Sequence, residues 1–261
     1  MTGLASDFGV WGAAVAGVAG LIVGSFLNVL AHRLPRGESV VFPGSHCPAC
    51  GSPIAPWDNV PVVSWLLLRG RCRVCGAPIA LRYPAMELSN GVLWFLLARR
   101  ADSWLEFTAG AFLCSACLAL LAIDAEFQIL PDKITLTGIG VGLLLSLLAR
   151  NLKGALLGVA VGAGGLYLLA FLYERLAGRE GMGLGDVKML GMIGAFLGPI
   201  GVLVTVLLAS LAGSVVGLGL IVLGTGDRKM RLPFGVFLSL GAIATLFFGA
   251  ELVRFYRSFW S

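Results

Sequence analysis

Two aspartates stand where long apolar segments meet polar ones, and residues of this type could perform acid–base chemistry. Asp186 follows the segment Gly181-Met182-Gly183-Leu184-Gly185, and Asp124 follows an apolar run over residues 107–123. Ionisable residues at membrane depth are costly and usually functional. Two carboxyl groups in one site cannot both ionise easily, so one activates a water molecule while the other donates a proton. The two acids therefore indicate aspartic-protease chemistry at the bilayer edge.

The sequence around Asp186 favours this role over a simple helix cap before Val187. Gly183 and Gly185 alternate ahead of the acid, and glycine permits close backbone approach. We therefore predict an extended stretch that lies beside a peptide and offers it backbone hydrogen bonds.

Two further acids follow Asp124. Asp132 comes directly after Pro131, at the start of the next apolar segment, so we interpret it as a cap or first-turn acid. Glu126 fits either a structural or a catalytic role.

Composition identifies an integral membrane protein. Of the 261 residues, 58% are hydrophobic and only 13% are charged, whereas soluble proteins carry about 25% charged residues. The net charge of +5 does not indicate nucleic-acid binding, because basic runs interleaved with aromatic residues and nucleic-acid fold signatures are lacking.

The hydropathy pattern predicts an all-α polytopic membrane protein with about eight transmembrane helices, each of about 17–25 residues. Their approximate ranges are 10–31, 85–99, 105–123, 133–150, 154–175, 187–198, 201–224 and 233–253. The sixth and seventh are divided at residues 198–201, and one kinked helix is the alternative. The first span lacks the basic region of a signal peptide, so we predict that it is retained.

Lysine and arginine residues predict the orientation, because they concentrate in cytoplasmic loops. With the N-terminus outside, thirteen fall on one side and six on the other. The thirteen are Arg33, Arg36, Arg69, Arg71, Arg73, Arg82, Lys133, Arg175, Arg179, Lys188, Arg228, Lys229 and Arg231, and the six are Arg99, Arg100, Arg150, Lys153, Arg254 and Arg257. Asp124 and Asp186 then share the cytoplasmic side.

A four-cysteine module lies in the only long polar segment, residues 32–84. Its two C-x-x-C pairs are separated by 21 residues and comprise Cys47, Cys50, Cys72 and Cys75. Four thiolates at this spacing can hold one structural zinc ion, as in zinc ribbons. A redox pair or a metal-free loop is the alternative, although a cytoplasmic location disfavours disulfides.

The other cysteines and the histidines indicate no further site. Cys114 and Cys117 also read C-x-x-C, but they lie in an apolar helix, where small residues promote close packing. His46 adjoins Cys47, and His32 marks the cytoplasmic end of the first helix.

Five blocks in this order resemble the type IV prepilin peptidases, bifunctional membrane enzymes of type IV pilus and type II secretion systems. The resemblance covers most of the chain, whereas GxGD alone is shared with presenilin-like proteases. The blocks are Gly24-Ser25-Phe26-Leu27-Asn28-Val29 with Arg33-Leu34-Pro35, the paired C-x-x-C module, Arg82-Tyr83-Pro84 with Glu87, the Asp124 region ending at Leu130-Pro131-Asp132, and Gly183-Leu184-Gly185-Asp186-Val187-Lys188.

The resemblance implies an aspartic endopeptidase of the bacterial inner membrane. It would remove the basic leader of prepilins or pseudopilins after a glycine at the cytoplasmic face. It would then methylate the new N-terminal residue with S-adenosylmethionine. Asp124 and Asp186 would be the catalytic pair, and the four cysteines the zinc ligands. Glu87 is a candidate for holding the new ammonium group, with an ion pair to Arg82 or Lys188 as the alternative.

The implied organisation is a first transmembrane helix (1–31), a cytoplasmic zinc module (32–84) and a transmembrane peptidase core (85–261). Two rival classes stay open. A proton-relay transporter would show repeated halves, and we find no convincing repeat. A non-enzymatic zinc-bearing scaffold explains the cysteines but neither acid.

Overall fold

The structure is a computed structural model that describes residues 5–178, 183–224 and 232–259. Its secondary structure is helical. The α-helices are α1 (Ala5–Arg33), α2 (Val63–Leu67), α3 (Arg82–Arg100), α4 (Trp104–Phe127), α5 (Asp132–Leu148), α6 (Leu152–Val159), α7 (Gly165–Ala177), α8 (Leu184–Val222) and α9 (Phe234–Ser258). A π-helical segment, Ala160–Gly164, joins α6 to α7. The chain divides into two compact units, Met1–Ala119 and Leu120–Ser261, and α4 contributes residues to both.

Five helices in the described residues are long and apolar enough to cross a bilayer, so the predicted count of about eight spans is not confirmed. They cover Gly9–Arg36, Trp104–Phe127, Leu152–Leu176, Leu184–Val222 and Phe234–Ser258. The predicted spans 85–99 and 133–150 are helical as α3 and α5. However, α3 carries charges at both ends, and the 17 residues of α5 rise only about 26 Å. Predicted loop residues 179–182 and 225–231 lie outside the described residues, together with four of the thirteen counted basic residues.

The predicted spans 187–198 and 201–224 lie in one element, α8. Its 39 residues would extend about 58 Å if straight, roughly twice the hydrocarbon thickness of a bilayer. Gly198 interrupts it with φ 68° and ψ −177°, a conformation that favours glycine, and Pro199 follows. The break stands at the position where the sequence indicated a division.

Contacts within the second unit show that α8 folds back at this break. Leu130 packs against Gly185 near the start of α8 and against Gly235 at the start of α9. Two residues further along α9, Phe237 packs against Gly213 of α8. In a straight helix, Gly185 and Gly213 would be about 42 Å apart. The two parts of α8 are therefore antiparallel.

In the first unit, α1 and α3 are joined by close glycine packing and by amide hydrogen bonds. A Cβ atom added at Gly20 would lie 2.9 Å from the Cα of Gly91, and one added at Gly24 would lie 2.7 Å from the Cα of Glu87. Asn90 donates to the Gly20 carbonyl at 2.8 Å, and Asn28 donates to the Tyr83 carbonyl at 3.2 Å. Small residues and such interhelical bonds hold membrane helices together.

In the second unit, α6 and its π-helical extension pack against the first part of α8 through glycine. Gly158 and Gly194 face each other so closely that a Cβ atom at either would overlap the carbonyl group of the other. One turn further on, a Cβ atom at Gly162 would lie 2.5 Å from the Leu190 carbonyl oxygen. This contact fixes the first part of α8, which carries Asp186.

We predict that Gly194→Ala destabilises the protein, because the added methyl group overlaps the Gly158 backbone. Overpacking of this kind costs about 1–3 kcal/mol and should lower the melting temperature in detergent by several degrees, as differential scanning fluorimetry would measure. Gly140→Ala is the matched control, since a Cβ atom added there meets nothing within 4 Å. Equal melting temperatures for the two variants would contradict the packing described.

Candidate functional site

Asp124 lies near the end of α4, with 5% of its surface exposed, against the first turn of α9. Its carboxylate accepts a hydrogen bond from the Val236 backbone N–H at 3.1 Å and another from that of Gly235. A Cβ atom at Gly235 would lie only 2.8 Å from Asp124 Oδ2. The absence of a side chain at this position therefore lets the helix N-terminus, with its partial positive charge, approach the acid.

Asp186 lies in the first turn of α8, where it is half-buried. Its backbone N–H donates to the Gly183 carbonyl at 3.2 Å. The N-cap of α8 is Gly183, so Asp186 is not the cap that the alternative interpretation required.

The predicted extended stretch before Asp186 is only partly found. Gly183 is extended, with φ −75° and ψ 143°, but Leu184 and Gly185 already belong to α8. Gly181 and Met182 lie outside the described residues. Gly185 packs closely against Leu130, since a Cβ atom added at Gly185 would lie only 3.1 Å from the Leu130 Cβ atom. The absence of a side chain allows this first turn of α8 to lie against Leu130.

The second unit brings the two acids together. Leu130 contacts both Gly185, next to Asp186, and Gly235, next to Asp124. The Asp124 carboxyl group is close enough to Asp186 for their charges to interact. Such a pair can share one proton, so that one group activates water while the other protonates a leaving group.

An ion pair ties the beginning of α8 to the beginning of α5. Lys188 Nζ lies 2.8 Å from both carboxylate oxygens of Asp132, the first residue of α5. Lys188 stands two residues after Asp186, so the pair fixes the turn that presents this acid. Asp132 is a first-turn acid, and Pro131 is the N-cap.

The four predicted metal ligands of the first unit also come together. The Sγ atoms of Cys47, Cys50, Cys72 and Cys75 all lie within 4.8 Å of one another, and those of Cys47 and Cys75 are 3.9 Å apart. Tetrahedral Zn–S bonds of about 2.3 Å place sulfur atoms about 3.8 Å apart. The cluster therefore fits one zinc ion.

Both C-x-x-C pairs adopt the same turn. The N–H of Gly51 donates to the Cys47 carbonyl at 2.8 Å, and that of Gly76 donates to the Cys72 carbonyl at 2.9 Å. Both glycines have φ near 70°, which explains the glycine after each pair. Hydrogen bonds from the Ser52 side chain and then its backbone lower the pKa of Cys50 to about 6, whereas the neighbouring thiols help to raise the pKa of Cys75 to about 11.

The other residues that the sequence singled out belong neither to the acid pair nor to the four-cysteine cluster. Glu87 is buried on α3, and its Oε2 accepts the Val62 N–H at 2.7 Å. Val62 has φ 61°, a conformation that is costly for a β-branched residue, so this bond stabilises a strained turn at the start of α2. Cys114 and Cys117 are fully buried in α4, in keeping with a packing role.

The sequence interpretation missed the contribution of α9. Pro233 is the N-cap of this helix, and Gly235 and Val236 supply the backbone donors to Asp124. The available signal was a proline followed two residues later by glycine at the start of an apolar segment, which predicts a helix N-terminus but not its partner.

Two family models match the chain. The Bacterial Peptidase A24 N-terminal domain covers residues 18–101, which include the four cysteines and Glu87. The Type IV leader peptidase family covers residues 111–218, which include Asp124 and Asp186.

Several curated proteins are similar over nearly their whole length, and each is named prepilin leader peptidase/N-methyltransferase. The protein of Burkholderia pseudomallei strain 1026b is 40% identical, covering 90% of this chain and 85% of the relative. That of Aeromonas hydrophila is 36% identical, covering 90% of each chain. That of Pseudomonas aeruginosa is 35% identical, covering 92% of this chain and 91% of the relative. No solved structure matches.

We predict that the purified protein contains about one zinc ion per chain, because the four thiolates complete one tetrahedral site. The double change Cys47→Ser with Cys72→Ser should remove the metal and lower the melting temperature. Mass spectrometry of metal content would measure the first effect. Cys117→Ala is the control that alters a cysteine outside the cluster and should retain the metal. A folded wild-type preparation with no bound metal would refute the site.

Proposed function

This chain belongs to the type IV leader peptidase family, and we propose that it removes the short basic leader of type IV prepilins or pseudopilins by paired-aspartate hydrolysis. The relatives' shared name and the family model support a prepilin peptidase with N-methyltransferase activity. The rival transporter and scaffold classes receive no comparable support. The cut would follow a glycine, just before the apolar helix of the substrate.

The observation that carries the mechanism is the meeting of Asp124 and Asp186 within one compact unit. In the proposed reaction, the pair holds one proton. One carboxylate takes a proton from water as the water oxygen attacks the scissile carbonyl carbon. The protonated carboxyl group then donates to the leaving amine. Gly235 and Val236 stabilise negative charge on Asp124 through their N–H groups.

The methylation half of the proposal concerns the product of cleavage. S-adenosylmethionine would supply the methyl group for the new N-terminal amine, usually of a phenylalanine. Glu87 is the proposed carboxylate for the ammonium group, since it is a buried acid in the matched N-terminal domain. Zinc held by Cys47, Cys50, Cys72 and Cys75 would stabilise the fold of this domain.

The proposed setting is the bacterial inner membrane, with the acids on the cytoplasmic side. The orientation is the one predicted from the sequence, in which thirteen of the nineteen lysine and arginine residues fall on the side that carries Asp124 and Asp186. We also propose the organisation that the family resemblance implies, with residues 1–31 as an anchoring helix, 32–84 as a cytoplasmic zinc module and 85–261 as the peptidase core.

We predict that Asp124→Ala and Asp186→Ala each reduce leader cleavage at least about a thousandfold, because each removes one half of the proton-transfer pair. The assay incubates detergent-solubilised protein with a prepilin and S-adenosylmethionine and reads cleavage and methylation together by mass spectrometry. Both variants should still insert into the membrane.

Glu126→Ala is the matched control, since Glu126 is an exposed acid two residues after Asp124, and it should cleave normally. Methylation of a synthetic peptide that already begins with phenylalanine would report whether each inactive variant is folded. Substantial cleavage by either Asp124→Ala or Asp186→Ala would exclude the paired-aspartate mechanism.

We also predict that Lys188→Met lowers kcat for cleavage about tenfold or more, since loss of the Asp132 ion pair releases the turn that carries Asp186. The effect on stability should be below about 1 kcal/mol, because the pair is exposed. The exchanged variant Asp132→Lys with Lys188→Asp should regain much of the activity, whereas Lys133→Met should behave as wild type. A double exchange no better than Lys188→Met would argue against the positioning role.

A further inference from the structure

The short helix α2 of the first unit carries apolar side chains that do not pack inside the protein. Val63, Leu66 and Leu67 are exposed, Leu67 to 78%, whereas Ser64 between them is buried. Their i, i+3, i+4 spacing places the three apolar side chains on one face of the helix. An exposed apolar face of this kind marks a surface that contacts a membrane or another protein.

The opposite side of α2 is attached to the polar segment between α1 and α3. Ser64 Oγ donates to the Trp57 carbonyl at 2.9 Å, and Trp65 Nε1 donates to the Ile79 carbonyl at 3.0 Å. These bonds orient the helix, so its apolar face points away from the segment that carries it.

Glu87 holds the beginning of α2 beside a membrane helix. Its carboxylate accepts the Val62 N–H at 2.7 Å and a hydrogen bond from the Ser25 side chain of α1. A Cβ atom added at Gly24, next to Ser25, would lie 2.7 Å from the Glu87 Cα atom. Val62 is therefore fixed beside α1 near Gly24, within the apolar candidate span Gly9–Arg36.

Distances along the helices give the depth of this attachment. Gly24 is about 14 Å from Arg33, at the end of α1, and Glu87 is about 7.5 Å from Arg82, at the start of the antiparallel α3. The Glu87 side chain leans toward that start, which brings Val62 a few ångströms closer to the polar ends of the two helices. Interfacial helices bury their apolar faces about 5–10 Å into the boundary between headgroups and acyl chains. The attachment of α2 lies at this depth.

The surfaces of α1 and α3 at the same level are also apolar and exposed. Ile22 and Phe26 flank Gly24 along α1, Leu88 follows Glu87 on α3, and all three apolar side chains are exposed. On a membrane helix such side chains contact acyl chains, which are as apolar as leucine. The apolar face of α2 therefore lies at a depth where its neighbours already face lipid.

Basic residues come directly after α2. Arg69 and Arg71 are both exposed. Arginine beside an apolar surface buries its methylene groups and extends its charge to the headgroup layer, where it attracts phosphate groups. An apolar helix face next to basic residues is typical of helices that lie in the plane of a membrane surface.

We propose that α2 is an interfacial helix of the bilayer. The side chains of Val63, Leu66 and Leu67 lie among the upper parts of the acyl chains, and Arg69 and Arg71 bind phospholipid phosphates. The helix thereby fixes the height of the four-cysteine module above the membrane. The inference draws only on the first unit and on a membrane-spanning α1, so it does not depend on the proposed cleavage reaction.

The test measures quenching of tryptophan fluorescence in the full chain, reconstituted into vesicles of phosphatidylethanolamine and phosphatidylglycerol. One set of vesicles carries bromine atoms near the headgroup end of the acyl chains, a second set carries them near the chain ends, and a third carries none. The signal is the fluorescence that Leu67→Trp adds to that of wild type. We expect bromine near the headgroups to reduce this signal at least about twofold, and more than bromine near the chain ends does, because the helix is interfacial.

Glu38→Trp is the matched control. Glu38 is exposed and lies beyond the end of α1, where its N–H donates to the Arg33 carbonyl at 3.0 Å. Its added fluorescence should not respond to bromine. Leu66→Trp repeats the measurement on the same face of α2, so the test does not depend on the folding of one variant.

Added fluorescence that does not respond to bromine in Leu66→Trp and Leu67→Trp would overturn the proposal. A shift of that emission to shorter wavelength with saturating prepilin would then assign the face to the substrate, and a shift that grows with the protein-to-lipid ratio would assign it to a second copy of the chain. Stronger quenching by bromine near the chain ends, or equal quenching of Glu38→Trp, would also exclude an interfacial helix. Failure of both α2 variants to fold would overturn the proposal too, since the face would then pack against protein.

Discussion

The candidate site depends on the approach of the α9 backbone to a buried carboxyl group. Asp124 is buried at the end of the long apolar run of α4, where a charged group without hydrogen bonds would be strongly disfavoured. The N–H groups of Gly235 and Val236 supply those bonds. They belong to the donors at a helix start that have no partner within the helix. One contact therefore supplies hydrogen-bond donors to a buried acid and an acceptor to the free N–H groups of a helix terminus. The close approach requires glycine at position 235.

The two compact units use different physical means to hold their functional groups. In the second unit, Gly158 and Gly194 allow α6 and α8 to touch through their backbones, and the reversal at Gly198 forms two antiparallel helical parts. In the first unit, the polar segment between α1 and α3 is too small to build a substantial core. Instead, the four cysteine thiols of two turns meet there in one cluster whose spacing fits a metal ion. Close helix packing positions the acids, whereas a cluster of four thiols that could bind one metal ion organises the loop segment.

The sequence predicted features that depend on neighbouring residues better than features that depend on contacts between distant segments. The cysteine cluster was predictable, because two C-x-x-C pairs with following glycines encode two local turns that present thiols to one ion. The helical character of every predicted span was predictable from hydropathy. The number of spans was not confirmed, since hydropathy alone does not settle whether a helix with charged ends such as α3, or a 17-residue helix such as α5, crosses the bilayer. The extended stretch before Asp186 was predicted too long, because a contact with Leu130 allows the helix to begin at Leu184.

By itself the sequence determined the residue types and their local surroundings. It identified a membrane protein, two acids at helix ends, a four-thiol module and the blocks that indicate its family. Only the tertiary structure decided which groups meet. Leu130 contacts both Gly185 and Gly235, Lys188 pairs with Asp132, and α9 supplies the donors to Asp124. These pairs are separated by tens of residues along the chain, up to 112 for Asp124 and Val236. Periodicity reports only which face of a helix is apolar, whereas partners depend on how helices pack at backbone contact distance.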